Sequence, residues 1–327
     1  MKTSALKKMI DPLAYLFWKT QIGVLRAFPP LQGAISVHSL GAANSKVVWV
    51  KTLFRAAART PGALLRHWRD KRERRAVLSR VNMAVMTRCT LNCDKCAGHI
   101  PDLRPSADIP AQDMVRDIQS LLACVDTIYV FYLSGGEALL HPDLDLIIRA
   151  CAESEKIRQI IVQTNGTLIP QAKVLAALRE SNAVVQISRY GQALQPKVEE
   201  LKRLLKENGI AHTHSSSTTW RDLGDFGKPQ ESSARRRFSV CSVQLCRALY
   251  DGKLHLCGVS AFLMNDGYLP DNKEDYVDVR TADAASFYAQ WSKLIKKRAL
   301  PACSYCLGDT YRSPKVPVAA QRTSENT

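Results

Sequence analysis

The chain has 327 residues, of which 46% are hydrophobic, and it carries ten cysteines and a formal net charge of +16. This length allows one large domain and a smaller one, and the composition excludes a disordered or low-complexity chain. The cysteines are too sparse for a disulfide scaffold, and their clustering indicates metal ligands in a reducing compartment. Only Cys124 and Cys151 stand apart, at apolar helical positions where a buried free thiol is common.

The positive charge is concentrated in residues 1–80, which hold 16 Lys and Arg against 3 acidic residues. Lys19 and Arg26 interrupt the apolar stretch at 12–28, which therefore falls short of the roughly 20 apolar residues that span a bilayer. No signal-peptide cleavage site follows it cleanly. A second helical stretch at 51–80 places Trp68 among several arginines. These features predict a basic helical extension that either packs on the main domain or contacts an anionic membrane surface. Nucleic acid is the least favoured partner.

From residue 81 the sequence alternates between strands and helices, which is typical of a parallel α/β sheet. Strands are predicted at 81–87, 128–133, 160–163 and 183–187 and from 210 toward 215. In barrel-like α/β folds the functional side chains gather at the carboxyl ends of the strands. We therefore expect the residues that follow these strands to share one site.

The first strand ends in Cys89, Cys93 and Cys96, spaced as C-x3-C-x2-C. Three thiolates can hold three corners of an iron–sulfur cube, whose full protein ligand set would number four. One iron would then stay open, as a position does in catalytic metal sites. Taken alone, the loop fits a zinc knuckle or three unrelated thiols equally well.

The next three strands end in polar or glycine-rich turns. Two glycines after a strand allow a ligand to approach the backbone closely, and a carboxylate beside them can hold a cation. An Asn-Gly pair taken alone is only a turn signal. The turns are Ser134-Gly135-Gly136-Glu137, Thr164-Asn165-Gly166-Thr167 and Ser188-Arg189-Tyr190-Gly191.

A second cysteine field begins at Cys241. Asp251-Gly252 predicts a hairpin flanked by Cys246 and Cys257, and a later C-x-x-C contains Cys303 and Cys306. Four thiolates would close a metal site and leave one cysteine over. A zinc ribbon has the same layout.

The cysteine loop, the Gly-Gly-Glu turn and the C-terminal cysteine field resemble the radical S-adenosylmethionine (SAM) enzymes over roughly residues 81–306. Lys95 departs from the family pattern, which usually has an aromatic residue before the third cysteine. The resemblance implies an α/β fold, a partial (β/α)6 TIM-like barrel, with a [4Fe–4S] cluster on Cys89, Cys93 and Cys96. It also implies that SAM is contacted by Ser134, Gly135, Gly136, Glu137, Thr164, Asn165, Ser188 and Arg189.

By the same resemblance, the C-terminal field is a SPASM- or twitch-like domain. It would hold an auxiliary [4Fe–4S] cluster on four of the five residues Cys241, Cys246, Cys257, Cys303 and Cys306. The favoured set combines Cys241 or Cys246 with the last three of these cysteines, and the other set combines the first three with one of the final pair. The predicted organisation is a basic helical extension at 1–80, a barrel at 81–235, an auxiliary domain at 236–310 and a flexible tail at 311–327.

The function that the resemblance implies is reductive cleavage of SAM to a 5′-deoxyadenosyl radical, which takes a hydrogen atom from the substrate. We expect oxidation of a carbohydrate-like or other small metabolite in the cytoplasm, with flavodoxin or ferredoxin as electron donor. Peptide modification and epimerisation are alternatives. Tyr190, His212 and His214 are candidate catalytic residues from their place near the strand ends. A zinc-stabilised, basic nucleic-acid-binding protein is the rival class, but it leaves the strand-end turns unexplained.

Overall fold

The computed structural model describes residues 15–16, 18–20, 22, 24, 26, 68–103, 108–215, 219–226, 229–230 and 233–322. The strands are β1 (Val77–Met86), β2 (Thr127–Gly135), β3 (Ile160–Thr164), β4 (Val184–Ile187), β5 (His212–His214), β6 (Thr219–Arg221), β7 (Arg247–Tyr250), β8 (Lys253–His255), β9 (Tyr276–Asp278) and β10 (Lys315–Pro317). The helices are α1 (Ala111–Cys124), α2 (Leu144–Ala152), α3 (Ala172–Glu180), α4 (Val198–Glu207), α5 (Ala234–Val240), α6 (Gly258–Asn265) and α7 (Ala284–Leu294).

Eight of the strands form one sheet in the order β5-β4-β3-β2-β1-β7-β8-β9. Neighbouring strands from β5 to β7 are parallel, whereas β8 and β9 continue the sheet in antiparallel pairing. Helices α1 to α4 connect the parallel strands, as parallel connections require. The predicted α/β class with a partial TIM-like barrel is confirmed. Strand β1 begins at Val77, four residues before its predicted start, and so lies partly in the predicted N-terminal extension.

The two faces of the parallel sheet differ in chemistry because successive side chains of a strand point to opposite sides. On the face covered by helices, Val81 pairs with Phe131 and Met83 with Leu133, and all four are buried. The other face is called the inner face below. It carries Arg80 and Asn82 of β1, Tyr132 of β2, Gln163 of β3 and Gln186 of β4, assigned from their alternation and register.

The predicted hairpin is present as β7 and β8, and its first strand pairs with β1. Asp251 and Gly252 at its turn have φ angles of 44° and 71°, which suit this short connection. Asp117 of α1, which is fully buried, accepts a hydrogen bond from the Gly252 amide at 2.7 Å. Arg280 pairs with the same carboxylate at 2.6 Å. These contacts fix the turn of the cysteine-rich hairpin to helix α1.

The described residues between Tyr15 and Arg26 pack against the C-terminal part of the chain. Ile22 is 3% exposed, and Arg26 donates to Gln244 Oε1 at 3.0 Å. The guanidinium of Arg26 also lies over the Phe238 ring, and Trp18 contacts Tyr311. These contacts place Ile22 and Arg26 against the C-terminal part of the chain, and they do not test the choice between packing and membrane contact for the stretch at 51–80. The rest of the predicted extension up to residue 67 lies outside the described residues, which contain no helix long and apolar enough to cross a membrane.

The C-terminal end differs from the predicted flexible tail. Strand β10 pairs with β6, and the Arg322 amide donates to Asn92 O at 2.8 Å. Cys93 and Gln321 form an antiparallel bridge. The structure thus differs from the predicted flexible segment at 311–322: this stretch pairs through β10, and Gln321 and Arg322 contact the first cysteine loop. Residues 323–327 lie outside the described part of the chain.

Candidate functional site

The first cysteine loop lies at the carboxyl end of β1 and is tied to its surroundings through sulfur. Asn165 Nδ2 lies 3.5 Å from Cys89 Sγ, and Gln321 Nε2 lies 3.2 Å from Cys93 Sγ. The same Gln321 side chain accepts from the Asn92 amide at 2.9 Å. Burial raises the pKa of Cys93 to about 11, so metal binding at this thiol would release a proton. Amide donors beside the sulfur would stabilise the thiolate that a cluster needs.

Lys95 occupies the loop position at which the family pattern has an aromatic residue. Its backbone has a φ of 50°. Its ammonium group lies 3.2 Å from Asp225 and 3.8 Å from Asp222. Lys95 therefore joins the cysteine loop to the segment that follows β6 by ion pairs, at the position where the family pattern has an aromatic residue.

The Gly-Gly-Glu turn after β2 is packed against the backbone that leads into the cysteine loop. The Gly136 amide donates to Met86 O at 2.8 Å, and the Glu137 amide donates to Arg88 O at 2.9 Å. A Cβ added at Gly136 would lie 2.1 Å from Arg88 O, and one at Gly135 would lie 2.2 Å from Met86 O. The two glycines are thus required by the close approach of β1 and the loop.

Substitution of Gly136 by Ala is expected to destabilise the protein by about 3 kcal/mol, because the new methyl group meets backbone that cannot move without displacing Cys89. The measurement is the free energy of unfolding in urea. Gly191→Ala is the matched control, since Gly191 has a φ of −65° and nothing lies within 4 Å of its added Cβ. The control should change stability by less than about 0.5 kcal/mol. Equal effects of the two substitutions would contradict this account.

Glu137 is fully buried and links the ends of β2 and β3. Its carboxylate accepts from the Asn165 amide at 2.7 Å and from the Leu139 amide at 3.0 Å, and it also bonds the Thr164 side chain. Desolvation raises the pKa of this carboxyl, and the three hydrogen bonds oppose the rise. Its side chain therefore positions the Thr-Asn-Gly-Thr turn.

Asn165 carries this connection on to the cysteine loop. Its Nδ2 donates to Thr90 Oγ1 at 2.9 Å, and its Oδ1 accepts from the Thr167 amide at 2.9 Å. Thr90 and Thr167 also share a hydroxyl hydrogen bond of 2.6 Å. These hydrogen bonds connect the end of β3 to the cysteine loop that follows β1.

The end of β4 is connected to the end of β3 by Gln195, a residue that the sequence analysis did not single out. Its Nε2 donates to Asn165 O at 2.7 Å and to Ser188 O at 2.6 Å, and its Oε1 accepts from the Tyr190 amide at 3.0 Å. Ser188 is buried and its side chain hydrogen-bonds Tyr190. A single glutamine in a loop carries no pattern signal, so this bridge shows only in three dimensions.

The three candidate catalytic residues divide between the two sides of the sheet. Tyr190 lies close enough to all three loop cysteines for their charges to act with burial to raise its pKa. His212 and His214 pair in register with Val185 and Ile187, on the face that the helices cover. The two histidines therefore lie on the opposite face from Gln186, and a catalytic role for them stays a prediction. Arg189 is exposed, and its amide donates to Ser215 Oγ at 2.9 Å.

Four of the five C-terminal cysteines line one cavity, namely Cys241, Cys257, Cys303 and Cys306. Burial raises the pKa of each thiol, to about 11 for Cys306. The Gly308 amide donates to Cys306 Sγ at 3.2 Å. Arg237 also lines the cavity and supplies positive charge beside it.

Cys246 does not line this cavity. The next residue, Arg247, pairs with Val81 on the helix-covered face, where its guanidinium lies 5.8 Å from the Trp291 ring centroid. Alternation along the chain directs Cys246 toward the inner face, and its charge acts on Tyr132 there. Cys124 and Cys151 are buried in helices, as expected of core thiols.

In the described part of the chain, no three Cys, His, Asp or Glu side chains converge closely enough to hold a single metal ion. The two cysteine groups are arranged differently. The first group lies on a loop at the carboxyl ends of the strands, and the second surrounds a cavity.

Comparison with known proteins identifies the domain. Residues 83–219, which contain the cysteine loop and the ends of β2, β3 and β4, match the family model of the Radical SAM superfamily. The chain contains a radical SAM domain. The superfamily uses a [4Fe–4S] cluster and SAM, so the domain match carries these two cofactors with it.

Two curated relatives of the radical SAM domain are named GTP 3′,8-cyclase. The protein of Stenotrophomonas maltophilia (strain R551-3) is 28% identical over 181 residues, covering 51% of this chain and 55% of the relative. The protein of Microcystis aeruginosa (strain NIES-843 / IAM M-2473) is 29% identical over 111 residues, covering 31% of this chain and 32% of the relative. The chain thus spans about half the length of the Stenotrophomonas relative it matches.

Solved structures of radical SAM enzymes also resemble the chain. BtrN in complex with AdoMet and 2-DOIA is 16% identical with a TM-score of 0.46, covering 76% of this chain and 98% of that one. Streptococcus suis SuiB bound to the precursor peptide SuiA is 12% identical with a TM-score of 0.39, covering 81% of this chain and 80% of that one.

Proposed function

We propose that the chain is a radical SAM enzyme that oxidises a small, carbohydrate-like metabolite. Cys89, Cys93 and Cys96 would hold the catalytic [4Fe–4S] cluster. When bound, the cluster and SAM supply a 5′-deoxyadenosyl radical that takes a hydrogen atom from the substrate. The observation that carries the proposal is the hydrogen-bonded connection from Glu137 through Asn165 to Cys89. These hydrogen bonds place the ends of β2 and β3 and the cysteine loop in one site.

The residues of this site divide into cofactor contacts and supports. Ser134, Gly135, Gly136, Thr164, Asn165, Ser188 and Arg189 remain the proposed SAM contacts. Glu137 belongs to the same set, and its hydrogen bonds to Asn165 and Leu139 support a role in holding the turn in place. Gln195 and Gln321 are added as positioning residues, because one ties the β3 and β4 ends together and the other bonds Cys93.

A second cluster would be held by Cys241, Cys257, Cys303 and Cys306. Their shared cavity supports this set over the alternatives that include Cys246. An electron-accepting group there would favour a two-electron oxidation over a redox-neutral reaction. Epimerisation and peptide modification stay as alternatives, and product analysis separates them from oxidation.

The named relatives favour a second candidate substrate. The identity with GTP 3′,8-cyclases over 181 residues supports a nucleotide, acted on by the same radical chemistry. An assay of GTP consumption beside that of sugar-like alcohols distinguishes the two substrate classes. We further propose a cytoplasmic enzyme that receives electrons from a flavodoxin or ferredoxin. Contact with an anionic membrane surface remains a proposal for the part of residues 1–80 outside the described positions.

The test is anaerobic incubation of the reconstituted protein with SAM and dithionite, followed by assay for 5′-deoxyadenosine. We expect brown protein that contains iron and sulfide and forms 5′-deoxyadenosine. Colourless protein that contains zinc alone and leaves SAM intact would overturn the proposal and support the zinc-stabilised rival.

A further inference from the structure

A group of polar side chains lies on the inner face, below the strand-end site. Arg80 Nε donates to Asn82 Oδ1 at 2.7 Å, and the Arg80 guanidinium lies 3.8 Å from the Tyr132 ring centroid. The Tyr132 hydroxyl is in hydrogen-bond contact with Gln186. Arg80, Asn82, Tyr132 and Gln186, called the inner polar group below, therefore connect three strands across the sheet.

The charge of Arg80 is not balanced by a carboxylate. Within the described residues no Asp or Glu pairs with it, and its neighbours in the inner polar group are neutral. Guanidinium offers five N–H donors, and Asn82 takes only one of them. A planar fork of donors with a fixed positive charge suits a carboxylate or a phosphate.

Gln186 supplies an independent sign of a missing partner. Its side chain belongs to a residue that is 6% exposed, and in the described structure its Oε1 has no hydrogen-bond partner. Buried polar atoms are almost always hydrogen-bonded. Gln186 Oε1 lies on the same face as Arg80, so its lack of a donor indicates that a bound ligand supplies an O–H or N–H group.

The inner polar group lies near the residues proposed to contact SAM. Gln186 and Tyr132 each stand two residues before a proposed SAM contact, Ser188 and Ser134. At about 3.3 Å per strand residue, the two levels are roughly 7 Å apart. A small molecule held by the lower level would therefore present its upper carbon atoms to the strand-end site.

We propose that the inner polar group binds the substrate, and that the substrate is a small organic anion with a hydroxyl or amino group near its charge. Arg80 binds the carboxylate or phosphate, and Gln186 Oε1 accepts from the neighbouring O–H or N–H. The assignment to the substrate rests on the proposed function. Binding of the anion itself requires neither SAM nor a reductant, so it can be tested separately.

The experiment measures anion binding to the anaerobically reconstituted protein by NMR line broadening, with inorganic phosphate, acetate and glycolate as probes. Phosphate and acetate distinguish the two kinds of anion. Glycolate differs from acetate only by the hydroxyl group that would reach Gln186. The variants are Arg80→Gln, Arg80→Lys and Gln186→Leu. Arg203→Gln is the control, with the same loss of charge at an exposed position of α4.

Arg80→Gln is expected to weaken binding of the preferred anion by roughly tenfold, as loss of a hydrogen bond to a charged group does. Arg80→Lys should retain part of the affinity, and Arg203→Gln should retain all of it. Gln186→Leu should remove the advantage of glycolate over acetate while leaving acetate binding unchanged. Iron content and circular dichroism check that each variant is folded.

Two results would overturn the inference: no binding of any probe to the parent protein at 50 mM, or equal binding by the Arg80→Gln and Arg203→Gln variants. Either result leaves SAM cleavage untouched, so the inference can fail while the proposed function stands. Conversely, Arg80-dependent binding in a protein that does not cleave SAM would support the anion site and reject the radical chemistry.

Discussion

Replacement of Cys93 by Ala is expected to reduce formation of 5′-deoxyadenosine to background and to remove about half of the bound iron. Cys93 is 6% exposed and is the loop thiol that the Gln321 side chain contacts. Without it only two thiolates of the loop remain. Two of the four irons of the cluster would then have no protein ligand, instead of one. Iron and sulfide analysis, with product assay under dithionite, measures both effects.

Cys124→Ala is the matched control for this loss. Cys124 is also buried, at 3% exposure, but it lies in the hydrophobic core, where its thiol donates to Ala282 O. This control should retain its iron and its product yield, because the thiol belongs to the hydrophobic core. Retained 5′-deoxyadenosine formation in the Cys93 variant, or equal losses in both variants, would remove the loop from the proposed chemistry.

The strand ends of the site were predictable from sequence because two simple physical rules act together. Continuous runs such as Ile128–Leu133 indicate buried parallel strands. The carboxyl ends of parallel strands meet at one edge of the sheet. These rules place Cys89, Glu137 and Asn165 side by side, and the structure joins them by hydrogen bonds.

The supports of the site could not be predicted in this way. Gln321 contacts Cys93 across 228 positions of sequence, and Gln195 joins two strand ends from a loop. An isolated amide side chain has no periodicity, and its partners depend on the assembled fold. Strand alternation does place a residue on one face once the register is known. The sequence alone did not provide that register, so it did not show that His212 and His214 lie on the helix-covered face.

The sequence could not decide which four C-terminal cysteines lie together for the same reason, namely that the register of the strands was not known. A hairpin predicts that Cys246 and Cys257 lie near each other, but not which of them faces the later C-x-x-C. The pairing of Arg247 with Val81 fixes the orientation of the strand. Cys257 then lines the cavity with Cys241, Cys303 and Cys306, whereas Cys246 lies outside it.

Cys257→Ala is accordingly expected to lose the second cluster, which is about half of the iron, while SAM cleavage at the first site persists. The Cys257 thiol interacts electrostatically with Cys306 and Cys303, and the amides of Val259 and Ser260 donate to it. Its removal leaves three thiolates and, unlike at the first cluster, no SAM to occupy the iron that is left open. Electron paramagnetic resonance of the reduced protein, with iron analysis, distinguishes the loss of one cluster from the loss of both.

Cys246→Ala is the control that tests the assignment, since it removes the fifth cysteine of the same field. Because Cys246 lies outside the cavity, its variant should keep the full iron content and both cluster signals. Loss of iron in the Cys246 variant with retention in the Cys257 variant would reverse the assignment. If the parent protein binds zinc in place of iron and the Cys257 variant loses it, the cavity holds a structural ion. The protein would then have no second iron–sulfur cluster to accept an electron.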